Sequence, residues 1–261
     1  MSPPEEQFVS DEEYPTFCAK LDGLRGRVAD HIPTERRMRV LDIATGGGKF
    51  AAELAERDPT MKVFGVDLSM EVLRSADRMI RERWLDARIT PMRMDTTRLE
   101  FPAAYFGMAV NFLGLEDIHA TRGAQGVRET FHEVSRVLKP RAYFAFTVMP
   151  PEETETKAQE LECSLRSYSL DATWLPAMRY QEFLRGAGFT LLKREVLGTG
   201  KKLSAAQVRP EVELECRTAK KAWGVKARPF DDVWAKYGSE VEKSGVGRCS
   251  RLVLMIARKR D

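Results

Sequence analysis

Apolar positions recur along this chain at two spacings. Between about Met38 and Met149, short runs with strand character, Arg39-Ala44, Lys62-Asp67, Arg88-Met94, Gly107-Phe112 and Ala142-Met149, alternate with stretches whose apolar residues fall three and four apart. That rhythm predicts a parallel sheet with crossover helices. Phe50, Ala51, Leu54 and Ala55 mark the first helix, which stops at Asp58-Pro59. Ser69 can cap a second, with Val72, Leu73, Ala76 and Ile80 on its apolar stripe, and Val127, Phe131, Val134 and Leu138 mark a third that Pro140 ends.

Upstream, Phe17, Leu21, Leu24 and Val28 recur at helical intervals, so a leading helix is expected within a lead-in at about 11–32. Residues before Asp11 are expected to fray. After Met149 the pattern changes: Pro150-Pro151 and a charged run lead into helical stretches at Leu161 to Leu170 and Tyr180 to Ala187, then a sixth strand at Phe189-Val196. An excursion from about 198 to 248 reads as two charged helices, Ser204-Trp223 and Phe230-Lys243, split at Arg228-Pro229. The strand Arg251-Ala257 follows it and can slot in antiparallel beside its predecessor. The expected fold is α/β, a Rossmann-like doubly wound seven-stranded sheet, mostly parallel with an antiparallel last strand and helices on both faces. It is read as one domain over 1–261, since a chain of 261 residues can bury a single full core.

Composition removes several alternatives. No apolar run approaches the roughly 20 residues of a membrane span, and the acidic stretch Met1 to Asp11 carries no apolar signal-peptide core. A cytoplasmic protein without membrane association is expected. Cys18, Cys163, Cys216 and Cys249 are scattered, with no paired or histidine-flanked spacing, so no metal is expected. A net charge of +3 is too small to call for nucleic acid, and the runs Lys220-Lys221 and Arg258-Lys259-Arg260 read as solvated surface.

The candidate chemistry lies where the first strand ends. Val40-Leu41-Asp42-Ile43-Ala44-Thr45 runs into Gly46-Gly47-Gly48 and then a helix. Glycines in that turn let backbone approach a ligand, and the helix behind it offers unpaired amides. The second strand ends in Asp67, about 20 residues past the turn, where a carboxylate can grip a ribose diol. Asp95, with Thr96, ends the next strand, within reach of an adenine amino group. Gly46-x-Gly48-x-x-Ala51 also satisfies a dinucleotide fingerprint. Asp42 argues against that reading, because a carboxylate there repels a pyrophosphate and attracts a cation.

These sites, in this order, resemble the class I S-adenosylmethionine-dependent methyltransferases over roughly Arg39 to Met149, with a late-strand continuation to Ala257. The run Arg128 to Pro140 resembles the helix and turn before their fifth strand. Leu41 to Gly48 is similar to the small-molecule branch that includes the ubiquinone and menaquinone C-methyltransferases. The resemblance implies S-adenosyl-L-methionine as the cofactor. It places Asp42, Ala44, Thr45, Gly46 and Gly48 around the methionine end, Asp67 with Leu68 at the ribose, Asp95 and Thr96 at the adenine, and Asn111 nearby. Ala44 stands where many members have the first glycine, and Arg141-Ala142 where a Gly-Gly turn commonly follows Lys-Pro.

Methyl transfer from a sulfonium needs donor and nucleophile held in line, and a base only when the acceptor must lose a proton. After the fourth strand, Glu116, Asp117 and His119 are the nearest candidates for that base, with His119 the candidate catalytic residue, and the default reading of each is a solvated loop residue. His31 and His132 read as surface histidines. Tyr168, Trp174, Met178 and Tyr180 fit an acceptor wall or plain core packing. The 198–248 helices, with Val212, Leu214, Trp223, Phe230, Val233 and Trp234 available to pack, fit a cap, a homodimer contact or a cover for the sheet edge. The expected activity is methylation of an O, N or C atom of a small organic acceptor. The rival readings are an RNA or protein methyltransferase and a non-catalytic S-adenosylmethionine-binding protein.

Overall fold

A computed structural model describes residues 6–261, apart from the side chain of Trp223. Met1 to Glu5, part of the stretch expected to fray, lie outside the described residues. In chain order the elements are β1 (Gln7–Phe8), α1 (Tyr14–Lys20), α2 (Leu24–Asp30), β2 (Arg39–Ile43), α3 (Lys49–Arg57), β3 (Lys62–Asp67), α4 (Met70–Glu82), β4 (Ile89–Arg93) and β5 (Phe106–Phe112). There follow α5 (Leu115–Val137), β6 (Leu138–Val148), α6 (Lys157–Leu170), α7 (Ala177–Gly186), β7 (Phe189–Leu197), β8 (Lys201–Leu203), α8 (Ala205–Trp223), α9 (Phe230–Ser244), β9 (Val246–Gly247) and β10 (Leu252–Lys259). Contacts group the chain into two compact units. One spans Arg25–Val148, Ala177–Glu195 and Leu254–Asp261; the other takes the described part of Met1–Leu24 with Met149–Pro176 and Val196–Val253.

The first of these carries the seven-stranded sheet, in the order β4-β3-β2-β5-β6-β10-β7. It is mostly parallel, with the last strand antiparallel as expected. Register is set so that Val40 lies opposite Val63 on one side and Met108 on the other. β2 and β5 read as near-continuous apolar runs because helices cover both faces, and Val40, Leu41, Ile43, Met108, Ala109 and Val110 have no exposed surface. Phe131 of α5 packs edge-on against Phe144 and Phe146 of β6, at 5.2 and 5.3 Å between ring centres.

The other unit contains a small sheet in the order β1-β8-β9 together with α6, α8 and α9. Ser204 caps α8 through a capping box with Gln207, whose amide also donates to the Val9 carbonyl at 3.1 Å and to Asp11 at 2.8 Å. Those two bonds tie the N-terminal stretch down.

Five sequence expectations change. Residues 7–8 form a strand rather than a frayed tail, and Val9 is buried. The leading helix is broken, because Leu21 and Asp22 adopt left-handed backbone between α1 and α2. The segment read as a loop through His119 is already helical from Leu115. The third helix ends at Val137, not at Pro140, and β6 begins at Leu138, so Pro140 lies inside a strand. That strand stops at Val148, one residue before the predicted end. Among the described residues no helix is long and apolar enough to cross a membrane, and the four cysteines are not joined in disulfides.

Both departures noted in the sequence take left-handed backbone. Ala44 has φ 49° and Arg141 φ 63°, values that cost a non-glycine residue about 1 kcal/mol. Arg141 also reaches Asp261 with a two-point ion pair, at 2.8 and 3.1 Å.

Candidate functional site

β2 and β3 end side by side, with Asp42 opposite Gly65 and Ile43 opposite Val66. The two predicted carboxylates therefore close adjacent strands. Asp42 is 1% exposed, and Thr45 Oγ1 donates to its Oδ2 at 2.6 Å. Gly65 makes that contact possible: a Cβ there would sit 2.8 Å from Thr45 Oγ1. Burial pushes the Asp42 carboxyl up from 3.8 to about 7, with the Thr45 bond opposing the shift and the charge of Asp67 adding to it.

Asp67 binds the glycine turn directly. Its Oδ2 accepts from Gly46 N and its Oδ1 from Ser69 N, both at 2.9 Å. The Leu68 amide bonds the same carboxylate, so three backbone N–H groups hold it in place. Burial raises the pKa of this group too, against those amides, and the neighbouring Asp117 raises it further. Asp117 lies in the first turn of α5, so that turn adds negative charge beside Asp67. Leu68 follows, half-buried, with its carbonyl accepting from Arg93 Nε at 3.3 Å.

The glycine turn is open on its outer side. A Cβ on Gly46 or Gly47 would meet nothing within 4 Å, and Gly46 has φ 54°. Gly48 has a packing role instead: a Cβ there would come within 3.2 Å of Ala76 Cβ and 3.3 Å of Met79 Cε on α4. An open, amide-bearing turn between one buried and one half-buried carboxylate fits the nucleoside and the cationic end of S-adenosylmethionine.

Asn111, 1% exposed, has a role the sequence did not reveal. Its Nδ2 donates to the Ile43 carbonyl at 2.7 Å and its Oδ1 accepts from Gly114 N at 3.2 Å. It therefore ties the end of β2 to the turn after β5. Gly114 is confined there, since a Cβ would lie 2.8 Å from Ala44 Cβ and 2.9 Å from Asn111 Nδ2. Gly114→Ala should lower stability by roughly 1–3 kcal/mol and weaken cofactor binding along with it, both readable by a thermal melt and calorimetry.

Asp95 and Thr96 occupy the predicted position but are already engaged. Thr96 Oγ1 meets Thr130 Oγ1 at 2.9 Å inside the core. Asp95 pairs with Arg122 at 2.7 Å. Burial pushes the Asp95 pKa up, but bonds from Thr97 and Arg122 outweigh it and hold the carboxyl below its usual range.

His119 lies on α5, half-buried, and its Nδ1 is buried with no hydrogen-bond partner among the described residues. Glu116 is 1% exposed. His132 is exposed, and His31 lies 3.4 Å from Lys193 Nζ. Trp174 and Tyr180 are each 1% exposed, which assigns them to core packing, whereas Met178 is 67% exposed. Within the 198–248 excursion Val212 and Val233 are buried, Leu214 is exposed, and Phe230 stacks on Trp234. No group of metal-binding side chains exists among the described residues.

Residues 40–141 match the family model described as a methyltransferase domain. The demethylmenaquinone methyltransferase of Porphyromonas gingivalis is 38% identical over 104 residues, which cover 40% of this chain and 40% of that protein. The chain thus matches less than half the length of that curated relative. Two solved structures share the fold. A geranyl diphosphate methyltransferase in complex with S-adenosylmethionine superposes with TM-score 0.61 and 16% identity, over 97% of this chain and 92% of its own. The [4+2]-cyclase SpnF superposes with TM-score 0.63 and 22% identity, over 92% and 81%. Residues 40–141 thus match a methyltransferase domain, in a chain whose fold is similar to that of solved methyltransferase structures.

Proposed function

We propose that this protein transfers a methyl group from S-adenosylmethionine to an O, N or C atom of a small organic acceptor. The observation that carries this reading is the pair of carboxylates, Asp42 buried and Asp67 half-buried, on either side of the open Gly46-Gly47 turn. Negative charge held in a poorly solvated place favours a cationic ligand and disfavours a diphosphate. When bound, the cofactor supplies an electrophilic methyl group on a sulfonium.

The chain's own groups then have distinct tasks. Asp67 holds the ribose hydroxyls while the Gly46, Leu68 and Ser69 amides fix its carboxylate to the turn. Asp42 and Asp117 keep the field negative at the cationic end. In-line transfer of that methyl would require the acceptor atom to be held against it, and an acceptor that starts as O–H, N–H or C–H would have to give up a proton. The residue proposed to take it is His119, whose Nδ1 has no hydrogen-bond partner among the described residues.

Calorimetry tests the donor half. S-adenosylmethionine and its demethylated product should bind, and a nicotinamide dinucleotide should not; the opposite pattern would sink the reading. Turnover of a mixed metabolite pool separates an enzyme from a binding protein. His119→Ala should slow turnover at neutral pH about 10²-fold or more while leaving cofactor affinity unchanged, and equal rates for parent and variant would take His119 out of the mechanism.

A further inference from the structure

Arg122 reaches Asp95 because α5 is broken. Gly123, with φ 67° and ψ −176°, separates the helical turns from Leu115 to Arg122 from those beginning at Ala124. The break folds Arg122 back over the following turn so closely that a Cβ on Gly126 would lie 2.0 Å from Arg122 Cβ. Two glycines therefore give Arg122 a position that a straight helix would not.

From there the guanidinium takes up one side of the carboxylate. Asp95 Oδ2 accepts from Arg122 Nη2 at 2.7 Å and from Nε at 3.1 Å. Oδ1 accepts from Thr97 N at 2.9 Å and from Thr97 Oγ1 at 2.8 Å. A carboxylate offers about four lone-pair positions, and all four are filled. An adenine amino group arriving at Asp95 has no acceptor until one of these donors leaves. The Thr97 donors come from a residue two positions along the chain and close a local turn. Arg122 is the donor free to move, being exposed on a flexible side chain.

We infer that Arg122 is a built-in competitor for the adenine-binding carboxylate: the exocyclic amine of the cofactor must displace it, which weakens the hold on substrate and product alike. The inference rests on the proposed cofactor and adds a residue that sets its affinity. The competing arm is two-point and half-exposed, so its removal is expected to tighten binding by about three- to tenfold.

The test compares the parent with Arg122→Met and Arg122→Lys by calorimetry against S-adenosylhomocysteine and its 6-oxo analogue, S-inosylhomocysteine. The analogue carries no amine to compete for Asp95. Arg122→Met should bind the adenosyl compound more tightly, Arg122→Lys should fall between it and the parent, and the inosyl compound should show no such gain. A general loosening of the fold would shift both ligands together. Unchanged or weaker adenosyl binding by Arg122→Met, or an equal gain for the inosyl compound, overturns the inference. A parent protein that binds neither ligand refutes the cofactor assignment, and the competition falls with it.

Discussion

Asp42→Asn is expected to melt several degrees higher than the parent at pH 8 and to bind S-adenosylmethionine more weakly. The folded state holds the Asp42 carboxyl at about 7 against an ordinary 3.8, a difference of about 3 units, or about 4 kcal/mol as an upper bound. Because the folded pKa is the higher one, the folded protein keeps a proton that the unfolded chain releases anywhere between those values. Stability therefore falls as pH rises from about 4 to about 7, and the full cost of the buried charge is present above that. Asparagine carries no such charge and can still accept from Thr45 Oγ1. Recovery of about half the bound, roughly 2 kcal/mol, corresponds to about 4–8 °C in a chain of this size.

Binding should change in the opposite direction. A cationic ligand stabilises the ionised carboxylate, so in the parent it draws a proton off Asp42 and binds more tightly as pH rises from about 6 to 8. Asp42→Asn should lose that pH dependence and about tenfold or more in affinity at pH 8. A melt series with calorimetry at three pH values checks both signs. A variant less stable than the parent at pH 8, or one with undiminished affinity, would show that Asp42 is not a buried charge facing a cation.

Asp67→Ala should remove most cofactor affinity. Two charge-assisted hydrogen bonds to a ribose diol, at about 1.5–3 kcal/mol each, amount to a loss of roughly 10²- to 10⁴-fold. The geometry adds a second cost, since Gly46 N and Ser69 N lose their acceptor and the glycine turn loses the bond that fixes it. Asp67→Asn separates the two effects only in part. An amide rotated to serve Gly46 turns its own N–H groups toward Ser69 N, or the reverse, so a substitution of nearly equal shape still sets donor against donor. Calorimetry with S-adenosylhomocysteine reads the loss, and unchanged binding by Asp67→Ala would overturn the ribose assignment.

What could be read from the sequence was whatever repeats or ends sharply. β2, β3, β4 and β5 match their predicted runs within a residue or two, the inner three because buried parallel strands are largely apolar segments between turn residues. Asp42 and Asp67 were legible because each terminates such a run. Short pairings left no comparable trace. β1 and β9 are two residues long and β8 three, too brief to show alternation, and they exist because distant stretches meet. Helix breaks were hidden for a related reason. Gly114 precedes a helix and Gly123 interrupts it, and the apolar spacing marks neither. Leu21, which fits a helical stripe, takes a left-handed conformation that no periodicity signals. The contacts of Asn111 with Ile43 and of Arg122 with Asp95 join residues 68 and 27 positions apart, and only the assembled sheet brings them together.

The place of β10 also bears on how the chain is made. Of the seven strands of this sheet it comes last in chain order, yet it lies between β6 and β7. Until it emerges, those two strands have no partner on the sides they will share with it, and nascent protein carries two unsatisfied ladders that other chains can pair with. Chaperone dependence should therefore be greatest during this interval, and a stop codon ahead of Leu252 should give an insoluble product even though every residue of the glycine turn has been synthesised.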